Sequence, residues 1–345
     1  MNPEYLPPRY EVYLTEYPDL SPGRVILQER GMYRILSAEG IRQARVSGRF
    51  QHEAKTVSGY PAVGDYVMAD LNSGGTAVIH TVLPRTSVFL RRAAGFAKTE
   101  QVVAANVDTV FLCMALNNDF NIRRLERYLA VAWDSGATPV LLLTKADLCD
   151  NPGGKIAEAE RVAAGADIVT TSAFEEDGWR SVEPYLAPGK TLAFIGSSGV
   201  GKSTLINRLL GKDRLETNGL RNDDKGRHTT THRELIVLPG GAMVIDTPGM
   251  RELGMWDAGE GLSAAFGDIE ELAHGCRFRN CTHRTEPGCA IQAALARGDL
   301  PEDRWQAYLK LMTENAYCED AKGYQQAKNE RNMKIAMFNR ANRKR

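Results

Sequence analysis

The feature that most constrains this chain is the order of two short motifs. Residues 196–203 read Gly-Ser-Ser-Gly-Val-Gly-Lys-Ser and satisfy G-x-x-x-x-G-K-[ST] in full. An apolar strand-like run (191–195) precedes them and a helical run (204–210) follows. That strand–loop–helix setting is the one in which the motif means phosphate binding. Its glycines let backbone N–H groups turn inward around phosphate oxygens, and the helix N-terminus adds its positive dipole end. A guanine-reading motif ordinarily comes far downstream of such a loop. Here Thr144-Lys145-Ala146-Asp147 comes first. The chain reads base, then phosphate, then switches, which implies a circularly permuted P-loop GTPase domain.

Composition narrows the field further. At roughly 100–200 residues per domain, 345 residues make two or three domains. Formal net charge is zero, so no basic field covers the whole molecule. No stretch approaches the ~20 apolar residues of a membrane span, and no membrane partner is expected. The first twenty residues carry acids and prolines where a secretory signal needs a basic and then an apolar run. Six cysteines, three of them between 276 and 289, do not make a disulfide scaffold, and a reducing cytoplasm is the expected compartment.

Residues 1–30 are rich in Pro and Tyr without a clean period and read as an extended or partly disordered arm. From Gly31, short alternating runs (33–35, 44–46, 65–68, 77–79) are punctuated by turn signals and predict a small β-barrel or sandwich over 31–98. An oligonucleotide-binding barrel belongs to that class. The basic string Arg85, Arg91, Arg92, Lys98 suits either a nucleic-acid face or a solvated surface. From 99 to 254, strand runs at 107–115, 139–144, 167–171, 191–195, 234–238 and 242–245 alternate with helical patterns at 121–134, 153–164 and 204–210. Such alternation predicts a parallel sheet covered on both faces. Residues 255–345 turn helical and polar, with a cysteine–histidine cluster and a basic tail, 322–345, holding eight Lys/Arg against Glu330.

The chemistry follows from residue types. Gly196, Ser197, Ser198, Gly199, Val200, Gly201, Lys202, Ser203 and Thr204 form the phosphate site, with Lys202 on the β- and γ-phosphates and the Ser203 hydroxyl on Mg²⁺. Asp246-Thr-Pro-Gly249 ends a strand; Asp246 holds Mg²⁺ through water and the Gly249 N–H meets the γ-phosphate. In Gly226-Arg-His228-Thr229-Thr230-Thr231 one threonine closes over Mg²⁺; Thr230 is placed first, with Thr229 and Thr231 as alternatives. Asp147 can accept from guanine N1–H and N2, whereas adenine offers neither donor. Lys145 covers the purine face, and Ser172 and Ala173 supply N–H to guanine O6. Thr144 stands where asparagine is usual; it keeps a hydroxyl but loses an amide, which predicts a weaker latch to the phosphate loop. Met250 occupies the position of the water-orienting glutamine of Ras-like enzymes. That leaves His228 to position the water, the alternative being RNA contact or packing. Cys276-x4-Cys281-x-His283-x5-Cys289 offers a closed Cys₃His set suited to one structural Zn²⁺, with His274 a rival ligand. Cys113, Cys149 and Cys318 read as packing residues.

The permuted order, the Gly-Arg-His-Thr-Thr-Thr loop, Ala-Ala-Asn-Val-Asp (104–108) and the zinc pattern ending Glu-Pro-Gly-Cys289 together resemble the ribosome small-subunit-dependent GTPase family RsgA, also called YjeQ. The resemblance covers nearly the whole chain from about residue 31. It implies a multidomain fold: an N-terminal OB-fold barrel, a central permuted α/β GTPase domain and a C-terminal helical zinc-binding domain. It further implies GTP hydrolysis to GDP and phosphate, stimulated by the small (30S) subunit and its 16S rRNA, and a role late in that subunit's maturation. A monomer is expected.

Overall fold

The structure is a computed structural model and describes residues 6–29, 31–54, 56–72, 75–92, 100–117, 119–163, 165–172, 175, 177–212, 215, 233–246 and 259–319. The chain divides into two compact units, Met1–Gly254 and Met255–Arg345.

The first unit begins with a barrel. Strands β1 (Ser21–Glu29), β2 (Met32–Ser37), β3 (Gly40–Val46), β4 (Tyr66–Asp70) and β5 (Ala77–Val82) run in the spatial order β1-β2-β3-β5-β4, and β4 pairs back onto β1. This closes the expected oligonucleotide-binding barrel with five strands, and closure removes the edges an open sheet would expose. Inward positions alternate with outward ones along β2 and β3, so Val25, Tyr33, Ile35, Ala44, Val46, Val67 and Ile79 fill the interior.

Within the stretch expected as an arm, residues 6–29 are folded. Strand β1 is a full barrel member, and the segment before it packs on the outside through α1 (Glu11–Glu16) and the preceding turn, while α2 (Gly48–Glu53) follows β3. Tyr10, Tyr13, Tyr17 and Leu20 bury against Tyr66, Met68 and Leu83. Strand β1 hides in the sequence because Gly23–Leu27 is buried without a break. Both its faces are buried, which erases the alternation that betrays a half-exposed strand. The expected boundary at 98/99 lies outside the described residues, between β6 (Val88–Arg92) and β7 (Glu100–Ala105), which pair antiparallel with each other. Arg85 is not a free basic residue, because its guanidinium is spent on buried Asp65 (2.8 and 2.7 Å) and on the Ser58 and Tyr60 carbonyls.

The rest of the unit carries strands β8 (Thr109–Ala115), β9 (Thr138–Thr144), β10 (Asp167–Thr170), β11 (Thr191–Ile195), β12 (Glu234–Val237) and β13 (Met243–Asp246). Their spatial order is β10-β9-β8-β11-β13-β12. All are parallel except β12, which runs antiparallel to β13. Parallel pairing puts the strands' C-terminal ends along one edge, and in open α/β sheets ligands bind at that edge. Helices α3 (Ile122–Ser135), α4 (Pro152–Glu160) and α5 (Lys202–Leu210) provide the crossovers. Asn121 caps α3 by accepting from the Arg124 amide at 2.9 Å, and the stripe Ile122, Leu125, Leu129 is buried at helical spacing.

Barrel and sheet are joined by polar contacts as well as by one β1–β12 pairing, Leu27 opposite Glu234. Asn106, in left-handed backbone (φ 52°), donates to the Gly64 carbonyl at 3.1 Å and accepts from the Thr86 amide at 3.0 Å and the Tyr10 hydroxyl at 3.3 Å. Buried Arg24 donates to the Asn106 carbonyl (3.2 Å) and to Thr191 Oγ1 (2.9 Å), where the phosphate-loop strand starts. Gly64 admits no side chain here, since a Cβ would sit 2.0 Å from the Ala105 carbonyl oxygen. The run Ala-Ala-Asn-Val-Asp is therefore the joint between barrel and sheet.

The second unit is helical: α6 (Gly259–Ala265), α7 (Gly267–His274), α8 (Ala290–Arg297) and α9 (Glu302–Glu319). Arg304 ties α9 to α6 and α7, bonding Asp268 at 2.8 and 2.6 Å and the Ala265 carbonyl at 3.2 Å while lying over the Phe266 ring.

Candidate functional site: a permuted nucleotide cleft and a cysteine–histidine centre

The phosphate loop leaves β11 at Gly196 and enters α5 at Lys202. Gly196 is obligatory on steric grounds, since a Cβ would lie 2.7 Å from the Cys113 carbonyl and 2.9 Å from its Cβ. Cys113 lies buried beneath it, and burial pushes its thiol up to about 12. It is a protonated packing group, as expected from the sequence. Lys202 Nζ donates to the Gly196 and Ser197 carbonyls, 2.7 Å each, which curls its ammonium over the loop. Ser203 and Thr204 follow in the first turn of α5.

The base-reading segment ends β9, two strands away from β11 in the same sheet. Thr144 Oγ1 donates to the Val200 carbonyl of the phosphate loop at 2.6 Å, and the threonine is buried. The hydroxyl thus makes the latch by itself. Lys145 adopts a left-handed conformation (φ 58°), a strained state for a residue with a long side chain, and this turns the chain at the strand end. Asp147 is exposed on the following turn, and one carboxylate oxygen accepts from Ser172 Oγ at 2.7 Å. That bond comes from the loop after β10, so two neighbouring loops fix the rotation of Asp147.

Asp246 terminates β13, in register with β11 through Ala193 opposite Ile245. Ser203 and Asp246 therefore stand at the same edge of the sheet, and an oxygen pair of this kind suits a hard divalent cation. Ala173, His228, Thr229, Thr230, Thr231, Gly249 and Met250, and the tail 322–345, lie outside the described residues.

In the second unit Cys276, Cys281, His283 and Cys289 bring one ligand atom each within 4.8 Å of one another. Cys276 Sγ is 3.4 Å from His283 Nδ1 and 4.0 Å from Cys289 Sγ, and Cys289 Sγ is 3.6 Å from Nδ1. A tetrahedron with bonds of about 2.3 Å to sulfur and about 2.0 Å to nitrogen has edges close to these. The cluster could hold a metal ion. The Ala290 and Gln292 amides point at Cys276 and Cys289 Sγ at 3.3 and 3.5 Å, while the His283 ring meets the edge of Trp305. Such outer contacts orient ligands. Glu286 shapes the ligand loop by accepting from the Thr282, Arg284 and Thr285 amides at 3.0, 2.9 and 3.1 Å. Hydrogen bonds, chiefly from the Thr282 hydroxyl, hold its carboxyl down at about 2. His274, the rival ligand, sits exposed at the end of α7 and is not in the cluster.

Sequence reasoning missed two residues at the cleft. Ser197 Oγ donates to Asp119 at 2.6 Å, and Arg124 pairs with the same aspartate at 2.9 Å. The loop after β8 thus reaches the phosphate loop, although nothing in the local pattern at 117–124 marks it.

Fold and cleft together define a circularly permuted GTPase: a P-loop sheet whose base-reading strand precedes its phosphate-binding strand. The family model described as RsgA GTPase matches residues 82–256. A protein of Lactiplantibacillus plantarum named small ribosomal subunit biogenesis GTPase RsgA 2 is 49% identical over 86% of this chain and 83% of its own length. One of Opitutus terrae, named small ribosomal subunit biogenesis GTPase RsgA, is 51% identical over 86% and 84%. The crystal structure of YjeQ from Thermotoga maritima superposes with a TM-score of 0.64 at 27% identity, covering 86% of this chain and 98% of that one. YloQ, described as a circularly permuted GTPase, gives 0.61 at 26% identity over 88% and 96%. The chain belongs to the RsgA GTPase family.

Proposed function

We propose that this chain hydrolyses GTP to GDP and phosphate on the small (30S) ribosomal subunit, that the subunit accelerates a slow intrinsic reaction, and that it acts late in the subunit's maturation. The observation that carries the reading is the breadth of likeness to proteins named for that role, 51% identity across 86% of the chain. The latch between base-reading and phosphate loops supports it, because it joins the two halves of a nucleotide cleft.

On this reading Asp147 accepts from guanine N1–H and N2. The Ser172 bond fixes its carboxylate so that the other oxygen faces the base, and adenine offers it neither donor. Lys145 lies along the purine, and the Ser172 and Ala173 amides meet O6. Lys202 and the amides of 196–204 hold the β- and γ-phosphates, and the Gly249 N–H meets the γ-phosphate. Ser203 and Thr230 would ligate Mg²⁺, with Asp246 acting through water. When bound, the ion neutralises charge developing between β- and γ-oxygens. Met250 offers a water molecule no donor and only a weak thioether acceptor, so His228 positions the attacking water.

The cysteine–histidine centre holds one structural Zn²⁺, a closed set of four with no open coordination position. Functionally the chain divides near Gly254: barrel and nucleotide cleft before it, zinc unit and basic tail after it. Barrel, zinc unit and tail grip 16S rRNA, and the protein works as a monomer in the cytoplasm. Phosphate release measured alone, with purified 30S and with purified 50S subunits tests the reading. Stimulation confined to 30S is expected, and equal rates in all three would overturn it.

A further inference from the structure

The loop between β8 and α3 carries an aspartate that the proposed chemistry does not use. Asp119 sits in a turn fixed by its own backbone: its amide donates to Asn117 Oδ1 at 3.0 Å and the Phe120 amide to the Asn117 carbonyl at 3.1 Å. From this turn one carboxylate oxygen accepts from Ser197 Oγ at 2.6 Å, seventy-eight residues later in the chain. The same oxygen accepts from Arg124 Nη2 at 2.9 Å, and that guanidinium nitrogen also donates to the Asp119 carbonyl. Arg124 stands in the first turn of α3, its backbone amide held by Asn121. The result is a chain of contacts, Arg124 to Asp119 to Ser197, running from a capped helix into the phosphate loop.

Ser197 is bound from the other side as well, since its carbonyl accepts from Lys202 Nζ at 2.7 Å. It is therefore clamped between the loop's cation and an aspartate. A carboxylate beside a phosphate site opposes anion binding unless its charge is balanced. Arg124 supplies the balance and leaves the geometric effect, a short charge-assisted hydrogen bond that fixes the loop's entry.

We propose that Asp119 is a positioning residue for the phosphate loop, setting the shape that receives a nucleotide's phosphates through Ser197, with Arg124 holding and neutralising it. This deepens the nucleotide-binding reading of residues 196–203 and rests on it. Because the clamp shapes the loop before and during reaction alike, it acts as uniform binding, which moves KM and leaves kcat in place.

The test is GDP calorimetry and GTPase kinetics on the full chain carrying Asp119→Ala, Ser197→Ala, both together, and Asp119→Asn. Asp119→Ala and Ser197→Ala should each raise the Kd for GDP, and the KM for GTP, by about threefold to tenfold, because solvent at the 41% exposed Asp119 side chain screens the charge and cuts the bond to the range of a neutral one. The double variant should be no weaker than the worse single one, as a shared contact requires. Asp119→Asn, which keeps an acceptor oxygen, should recover most of the affinity lost in Asp119→Ala. Wild-type affinity in both single variants, or additive losses in the double, overturns the role of Asp119 alone. Failure of the unaltered chain to bind GDP overturns the phosphate-loop reading and this proposal with it.

Discussion

Thr144→Val isolates the latch between the two halves of the cleft. The substitution keeps shape and volume at a buried position and deletes only the hydroxyl that donates to the Val200 carbonyl at 2.6 Å. A neutral hydrogen bond nets about 0.5–1.5 kcal/mol. At about 1.4 kcal/mol per tenfold, that becomes a roughly two- to twelvefold rise in the Kd for guanine nucleotides. The loss should fall on nucleotide affinity because the bond spans loops that grip opposite ends of one ligand, so releasing it lets their spacing vary. Thr144→Ser, which keeps the hydroxyl, should stay near the unaltered protein. Titration calorimetry with GDP and a GTP analogue, run beside a thermal melt, gives both quantities. A valine variant with unchanged Kd for both nucleotides and an unchanged melting temperature would refute the latch, whatever the distance between the two atoms.

Asp147→Asn should move preference from GTP toward XTP, since the amide turns a donor toward guanine N1–H; competition binding with GTP, XTP and ATP reads this directly. Lys202→Ala should abolish hydrolysis and weaken binding, whereas His228→Ala should spare binding and lower subunit-stimulated turnover by about 10²-fold, the usual size of an acid–base contribution; single-turnover rates with 30S subunits separate the two. Cys281→Ser should lose the zinc equivalent and open residues 276–289 to protease while the nucleotide cleft still binds GDP, with metal analysis and limited proteolysis as the checks. Removing 322–345, with its eight Lys/Arg, should flatten the salt dependence of 30S binding and leave intrinsic hydrolysis unchanged; sedimentation at several ionic strengths gives the slope.

Elements whose signal is local were legible in the sequence. The phosphate loop, the α3 stripe and the Cys₃His spacing each depend on residues close in the chain, and each stands where its pattern predicts. What escaped depends on partners far apart. Strand β1 lost its alternation to burial on both faces. Arg85 read as one charge in a basic string because Asp65, its partner, lies twenty residues earlier. Nothing local marks Asp119, because its partner Ser197 is far downstream. Thr144 shows the converse: the departure from asparagine was visible, but only the fold reveals that a hydroxyl suffices to reach Val200.

The Asn106 joint bears on where this molecule can be cut. The segment matched by the family begins at residue 82, yet Tyr10, Arg24 and Gly64 all precede it. A fragment started there would strip Asn106 of the carbonyl it donates to, take from Thr191 the guanidinium at the root of the phosphate-loop strand, and leave Glu234 without Leu27 opposite. The barrel is thus a foundation for the nucleotide cleft as well as a neighbouring module, and a fragment that keeps these contacts must include Tyr10, Arg24 and Gly64.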